Sequence, residues 1–474
     1  MQRADSPYAR IIGVFNLRRA ELLPVLYSGA FFFCVLTALM LLRPARDALG
    51  MQRGIEAVRW LFMGTALVTL LANPVFSWLV SRYRRLHFIA LTYLFFAASL
   101  AAFFLLLTLA PDAIGTASGQ VFYVWFSVFN LFATMLFWAL MADRFSLEQS
   151  KRLFALIAVG GTLGAIFGPW LASVLATPLG TPALLLVSAG FLLLALALAW
   201  AVSDRQAAAS PSAQQDKPHS NPPAYPPPII GGHAWHGFKA VCQSPYLLGI
   251  AGYVILMSIM ATLLYFTRLQ MVAALGNDID MRTAMFARID MLTQIATLVL
   301  QAIFAGKLMK RFGVPFTLML LPLTAGLGFI GLAAVGTLAA LIMFEASFRA
   351  IQRALTRPAR ETLYTVLSRE DKYKSKALID TFGYRGGDVV GAQVEGLLAR
   401  LGMGLAGLLS LAVPMALAWA ALGLWLGRRQ QQLARALSAE PTETDQAAHS
   451  ACHPTATCAP SADTAPHPTT RSSS

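Results

Sequence analysis

Four arginines, Arg349, Arg353, Arg357 and Arg360, follow one another at helical spacing at the end of a long apolar stretch. On a helix they fall within about 80° of one another, with Glu345 beside the stripe. A guanidinium grips phosphate or carboxylate through two parallel N–H bonds, so anion binding is the chemistry these residues suit. Residues 314–348 are largely apolar and number 35, enough for one membrane span and a fragment. A second full span must therefore take in the arginines. One Arg at the centre of a bilayer costs about 2.5–3.5 kcal/mol. Several facing lipid would be prohibitive, so the stripe is expected to face the interior or a water-filled cavity. Arg353, near the middle, is the expected cavity-lining residue. Arg357 and Arg360 have a second reading as a cytoplasmic helix end, and Arg349 as the partner of Glu345.

Other charges sit in comparable places. Arg43 and Arg46 end the first apolar run, with Asp47 adjacent and Pro44 between them; Arg268 ends the seventh. Arg288 and Asp290 lie in the eighth. Two residues apart they do not face each other on a helix, so each is expected to pair across helices. Asp380, Arg385, Asp388 and Glu395 lie in the eleventh. A structural ion pair explains any one of these as well as a ligand site does. Together, basic groups outnumber acidic ones along the central path, and a cavity of that sign concentrates anions. Trp125, Phe137, Trp138, Tyr265 and Tyr384 flank the path, where they either stack on a planar ligand or pack between helices.

The elements that must hold these residues follow from composition. Of 474 residues, 57% are hydrophobic and 13% charged, about half the charge of a soluble domain. Mean hydropathy is +0.60. A soluble enzyme, a disordered chain and a coiled coil are excluded, and a polytopic all-α membrane protein is expected. With about 20 apolar residues per span, twelve transmembrane helices are predicted near 21–42, 57–80, 86–110, 118–143, 153–177, 182–202, 246–268, 284–306, 314–335, 338–366, 377–399 and 403–427. They divide the chain into an amphipathic cytoplasmic segment (1–20), a six-helix bundle (21–202), a Pro-rich linker (203–245), a second six-helix bundle (246–427) and a disordered tail (428–474).

The chain carries 37 Lys and Arg against 23 Asp and Glu, a net +14. Much of the excess follows even-numbered spans: Arg82, Arg84 and Arg85; Arg144, Lys151 and Arg152; Lys307, Lys310 and Arg311; Arg369, Lys372 and Lys374. The loops near 111–118 and 178–182 carry neither Lys nor Arg. Both termini are therefore expected in the cytoplasm, the basic excess orients loops rather than binding nucleic acid, and no cleaved signal peptide is expected. The halves resemble repeats. Ala48-Leu49-Gly50 recurs as Ala274-Leu275-Gly276 at an offset of 226, and Gly160, Gly164 and Gly168 align with Gly383, Gly387 and Gly391 at 223. Two such halves around a midplane site is the plan of secondary transporters.

Enzyme chemistry finds no support. There is no phosphate loop, no HExxH and no GxSxG. The four cysteines, Cys34, Cys242, Cys452 and Cys458, form no disulfide framework. His449, Cys452, His453 and Cys458 are of zinc-binding types, but they lack regular spacing in a low-complexity tail. No cofactor and no metal is expected.

The layout, with basic loops after spans 2 and 8, resembles the major facilitator superfamily. Three blocks are similar to its nucleotide transporter relatives, the ATP/ADP translocases of plastids and intracellular bacteria: Arg43-Pro44-Ala45-Arg46-Asp47-Ala48-Leu49; Leu136-Phe137-Trp138 with Glu148-Gln149-Ser150-Lys151-Arg152-Leu153-Phe154; and Lys376-Ala377-Leu378-Ile379-Asp380. The chain departs from that pattern in having Arg46 where the family has Lys, and Leu264-Tyr265-Phe266 where it has a carboxylate. The resemblance implies exchange of ATP and ADP and charged transport residues at Arg46, Glu148 and Lys376, with Asp47 and Asp380 beside them.

The sequence thus predicts a monomeric multi-pass transporter of the bacterial inner membrane. Its expected anion-binding residues are Arg43, Arg46, Arg268, Arg349, Arg353, Arg357, Lys376 and Arg385. Gating or coupling falls to Asp47, Glu148, Lys151, Arg152, Asp380 and Asp388. The alternatives are a proton-coupled carrier of another organic anion or drug, and a membrane scaffold or regulator that transports nothing.

Overall fold

The computed structural model describes residues 21–82, 85–110, 112–209, 238, 241–303 and 305–439. The N-terminal segment, most of the linker, Arg84 and the His/Cys tail lie outside them. Helices α1 (Leu22–Gly50), α2 (Ile55–Arg82), α3 (Arg85–Leu109), α4 (Asp112–Arg144), α5 (Leu147–Leu179) and α6 (Thr181–Ala209) form the first half. The second half opens with α7 (Pro245–Ala273), α8 (Ile279–Ile303) and α9 (Ala305–Val335). It continues with α10 (Leu338–Ile351), α11 (Arg357–Leu363), α12 (Arg369–Leu378), α13 (Tyr384–Arg400) and α14 (Leu405–Ala439). Local chemistry sets the ends. Ser146 and Gln149 form a capping box at α5, and Ser244 caps α7 ahead of Pro245. Gly180, at φ 83°, makes the turn into α6 that a side chain would oppose.

Ten described helices, α1 to α9 and α14, are long and apolar enough to cross a membrane. The expected tenth and eleventh spans are present but broken. A π turn, Gln352–Thr356, joins α10 to α11, and a second, Ile379–Gly383, joins α12 to α13. These two segments carry the charges that no lipid-facing helix tolerates, which is why they fail a test of hydropathy while still being helical. α6 and α14 run seven and twelve residues beyond the expected 202 and 427. The chain alternates between two faces: the near face, where α1 starts, and the far face, where it ends.

In each half, glycine lets two helices touch through their backbones. A methyl group on Gly160, Gly164 or Gly168 of α5 would fall on the backbone of Gly29, Phe33 or Thr37 of α1. On Gly387 or Gly391 of α13 it would meet Ile255 or Ile259 of α7. The equivalent pairs are Gly164 with Gly387 and Gly168 with Gly391, packed on Phe33 with Ile255 and on Thr37 with Ile259, and the glycines keep the expected offset of 223. The left-handed glycines beyond the same helices, Gly54 with Gly276 and Gly180 with Gly402, keep nearly that spacing. Gly383, in the place of Gly160, has only ordinary contacts.

The halves are tied together toward the far face. Arg268 of α7 is 0% exposed. It pairs with Asp47 of α1, with Asp290 of α8 at 3.0 Å and with Glu345 of α10 at 3.2 Å. Arg349 reaches Glu345 at 2.6 Å, Arg43 reaches Asp290 at 3.6 Å, and Arg46 donates to Asp47 at 2.9 Å. The Tyr265 hydroxyl donates to Asp47 at 2.9 Å and shares a hydrogen bond with Tyr123. Nearby, Glu395 accepts from Arg59 of α2 and from Gln270, each at 2.7 Å. Arg59 lies against Gly396, where any side chain would displace it. At the rim, Asp280 accepts from the Thr181 backbone at 2.6 Å.

Two outcomes follow. Gly164→Leu should destabilise the protein by about 1–3 kcal/mol or more, whereas Gly331→Leu, with nothing within 4 Å of the added carbon, should be near neutral; the readout is the unfolding midpoint in detergent. Arg268→Met removes the one guanidinium shared by three buried carboxylates and should cost about 3–5 kcal/mol, lowering the midpoint far more than Arg349→Met does.

Candidate functional site

Two adjoining chambers lie between the halves. The larger, about 760 Å³, is lined by Asn130 of α4, Met257 of α7 and the broken segments of the second half, with Arg353, Arg357, Arg360, Glu361, Lys376, Asp380, Tyr384 and Arg385 on its wall. The smaller, about 270 Å³, includes Arg43, Arg46, Phe62, Tyr123, Phe126, Tyr265, Arg385 and Asp388. Asn130 and Arg385 border both. The large chamber follows α10–α11 from its middle toward its near-face end. The small one sits deeper, against the far-face ties.

Seven basic side chains face the chambers against three acidic ones, Glu361, Asp380 and Asp388. Pairing then decides which cations are available. Arg360 pairs with Asp380 at 3.1 Å, Lys376 pairs with Glu361, and Arg385 pairs with Asp388 at 3.5 Å. Asp388 also accepts from Ser258 and from Thr262 at 3.4 Å. Arg353 donates to Gln294, a neutral acceptor, and Arg357 is exposed on the wall. Among the described residues no carboxylate pairs with Arg353 or Arg357. The π turn explains their position: Arg353 lies within it and Arg357 follows it. The extra residue turns the later part of the stripe into the chamber while Arg349 stays with Glu345.

The structure thus divides the expected residues. Arg43, Arg46, Arg353, Arg357, Lys376 and Arg385 line a chamber, as do Asp380 and Asp388. Arg268 does not. It is sealed among carboxylates, so the ligand role expected from its place at the end of a span gives way to a structural one. Arg349 likewise belongs to the ion cluster, and Asp47 holds the halves together rather than meeting the cavity. Glu148 is exposed in the first turn of α5 and lines neither chamber. Arg152 pairs with Glu21 at 2.7 Å, fastening the start of α5 to that of α1; the Lys151 side chain lies outside the described set. Asp290 does pair across helices, whereas Arg288 is exposed.

Of the five aromatics expected along the path, only Tyr265 and Tyr384 reach the chambers. Trp125 sits in a cluster with Phe96, Phe103, Phe122 and Phe129, and Phe137 and Trp138 pack on Phe32. Sequence reasoning missed Asn130, Gln294, Tyr123 and Phe126. An Asn or Gln in mid-helix was a usable signal for the first two. Nothing local distinguishes the Tyr123 and Phe126 rings, which carry the Arg46 guanidinium at 4.6 and 5.4 Å.

Three solved structures with this arrangement of helices are distant in sequence. A variant of the nucleoside transporter NupG aligns at TM-score 0.58 and 10% identity, over 86% of this chain and 99% of its own. The POT family transporter PepTSo aligns at 0.56 and 11%, over 88% and 98%. A bacterial homolog of the human lysosomal transporter Spinster, inward-facing and unoccupied, aligns at 0.52 and 13%, over 88% and 98%. At such identities the likeness is one of fold. No curated protein matches the sequence. The Major Facilitator Superfamily pattern matches residues 25–351, well over half the chain, and the protein belongs to that superfamily.

Proposed function

We propose that this membrane transporter carries an anionic, phosphorylated solute by alternating access, with a nucleotide such as ATP or ADP exchanged across a bacterial inner membrane as the first candidate. The observation that carries the reading is the pair Arg353 and Arg357 on the large chamber wall, two cations without a carboxylate partner in a basic cavity. A phosphoryl group is the ligand two guanidinium forks hold best. The near face is the cytoplasmic one, by the basic loops. The far-face ties are closed and the large chamber reaches toward the near face, which supports reading this arrangement as the inward-facing half of the cycle. Exchange needs no motor, because the counter-solute supplies the neutralising charge for the return step.

The test is counterflow in proteoliposomes, preloaded with unlabelled ADP and given labelled ADP outside. Uptake should require internal nucleotide. Arg353→Ala should raise the half-saturating concentration roughly ten- to a hundredfold, the value of a charge-assisted contact, with Arg353→Lys in between. No uptake in a correctly oriented, folded preparation removes the nucleotide assignment and leaves a screen of other phosphorylated and carboxylated anions.

A proton-coupled cycle is the second reading, favoured by Asp388. It is the carboxylate of the small chamber, held by two hydroxyls and by Arg385. Proton symport predicts that Asp388→Asn abolishes accumulation driven by a pH gradient while sparing counterflow. Pure exchange predicts no dependence on the gradient in either form.

A further inference from the structure

The small chamber and the far-face ties use the same arginines. Arg43 and Arg46 both line the chamber. Arg43 is also the ion partner of Asp290 at 3.6 Å, and Arg46 the partner of Asp47. Asp290 and Asp47 are two of the three carboxylates around Arg268. We infer that the small chamber is a second anion subsite, for a phosphoryl or carboxylate group, and that filling it loosens the far-face closure by withdrawing Arg43 and Arg46.

The argument is one of charge. With the chamber empty, four arginines (Arg43, Arg46, Arg268 and Arg349) face three carboxylates (Asp47, Asp290 and Glu345). An anion that draws Arg43 and Arg46 to itself leaves two arginines for three carboxylates, buried and short of positive charge. In low dielectric that imbalance favours separation and hydration. The geometry permits the withdrawal. Asp47 keeps Arg268 and the Tyr265 hydroxyl when Arg46 leaves, so no single carboxylate is stripped. Arg46 rests on the Tyr123 and Phe126 rings, which hold it at the wall without a second anion. The Arg43 contact has no hydrogen bond, since Asp290 Oδ2 has no partner of that kind. Thr65, Ser127 and Asn130 add donors on the same wall, where Thr262 and Arg385 are engaged with Asp388.

This inference rests on the anion-carrier reading, yet its test is separable. Spin labels at Ala113→Cys and Ala274→Cys, exposed positions at the far face on opposite halves, report its opening in the full chain with the native cysteines replaced by serine. The probes are inorganic phosphate and ADP, with labelled ADP binding measured alongside. Either anion should populate a longer distance. A response to phosphate identifies a free anion as sufficient; a response to ADP alone assigns the group to the substrate. Arg43→Gln/Arg46→Gln should give one distance distribution with or without anion. Arg46→Lys, which keeps the charge and guards against simple misfolding, should still respond at about tenfold higher anion concentration. Wild type that binds labelled ADP but holds one far-face distance with both anions overturns the inference and leaves the transport reading intact. If ADP does not bind, the nucleotide reading has failed, and the phosphate arm decides the inference by itself: a shift supports it and an unchanged distance ends it.

Discussion

A guanidinium with no exposure to solvent, in the middle of a membrane protein, is the constraint around which the rest is arranged. Arg268 is tolerable only because α1, α8 and α10 each bring a carboxylate to it. Those carboxylates then need further cations, which Arg43, Arg46 and Arg349 supply. The cluster thereby fixes α1 of the first half against α7, α8 and α10 of the second. It also decides which arginines remain for other work. Arg353 and Arg357, farther along the broken segment and outside the cluster's reach, are the ones left facing the large chamber.

The same accounting separates what was legible in the sequence from what was not. Length and hydropathy locate ten of the twelve expected segments, because the requirement for apolar length is local. The cost of a lone arginine in lipid places Arg353 in a cavity for the same reason. Pairing is not local. Arg268 and Arg353 look alike in sequence, each a single Arg closing or interrupting an apolar run. Their fates differ because residues 221 positions upstream and 22 and 77 downstream converge on the first. The two readings left open for the aromatics are decided on similar grounds. Trp125, Phe137 and Trp138 are on helices that border the cavity, but their side chains turn into the phenylalanine core of the first half. Small residues in a row identified the backbone-contact helices and their register, while the partner of each glycine needed the contacts themselves.

The two halves are alike in their glycine seams and unlike at one point. One turn beyond the seam glycines, where α5 has the buried Ala172, α13 has Glu395, which reaches out of its own half to Arg59. A position spent on packing in the first half is spent on attachment in the second. The near-face fastening of Arg152 to Glu21, by contrast, stays within the first half. The first half is thus bound to itself at the near face and to the second half at the far face, and the second half carries the interrupted helices and most of the large chamber wall.

Those interruptions have a mechanical meaning of their own. A π turn is an α-helix carrying one residue too many, with its backbone bonds still made within the helix. Such a bulge can travel, handing its surplus residue along one hydrogen bond at a time. The stretch it passes rotates by about 100° and advances by about 1.5 Å. Gln352–Thr356 and Ile379–Gly383 stand on the two segments that form the chamber wall. They give that wall a way to re-aim its arginines by screw motion, within helices that never unfold.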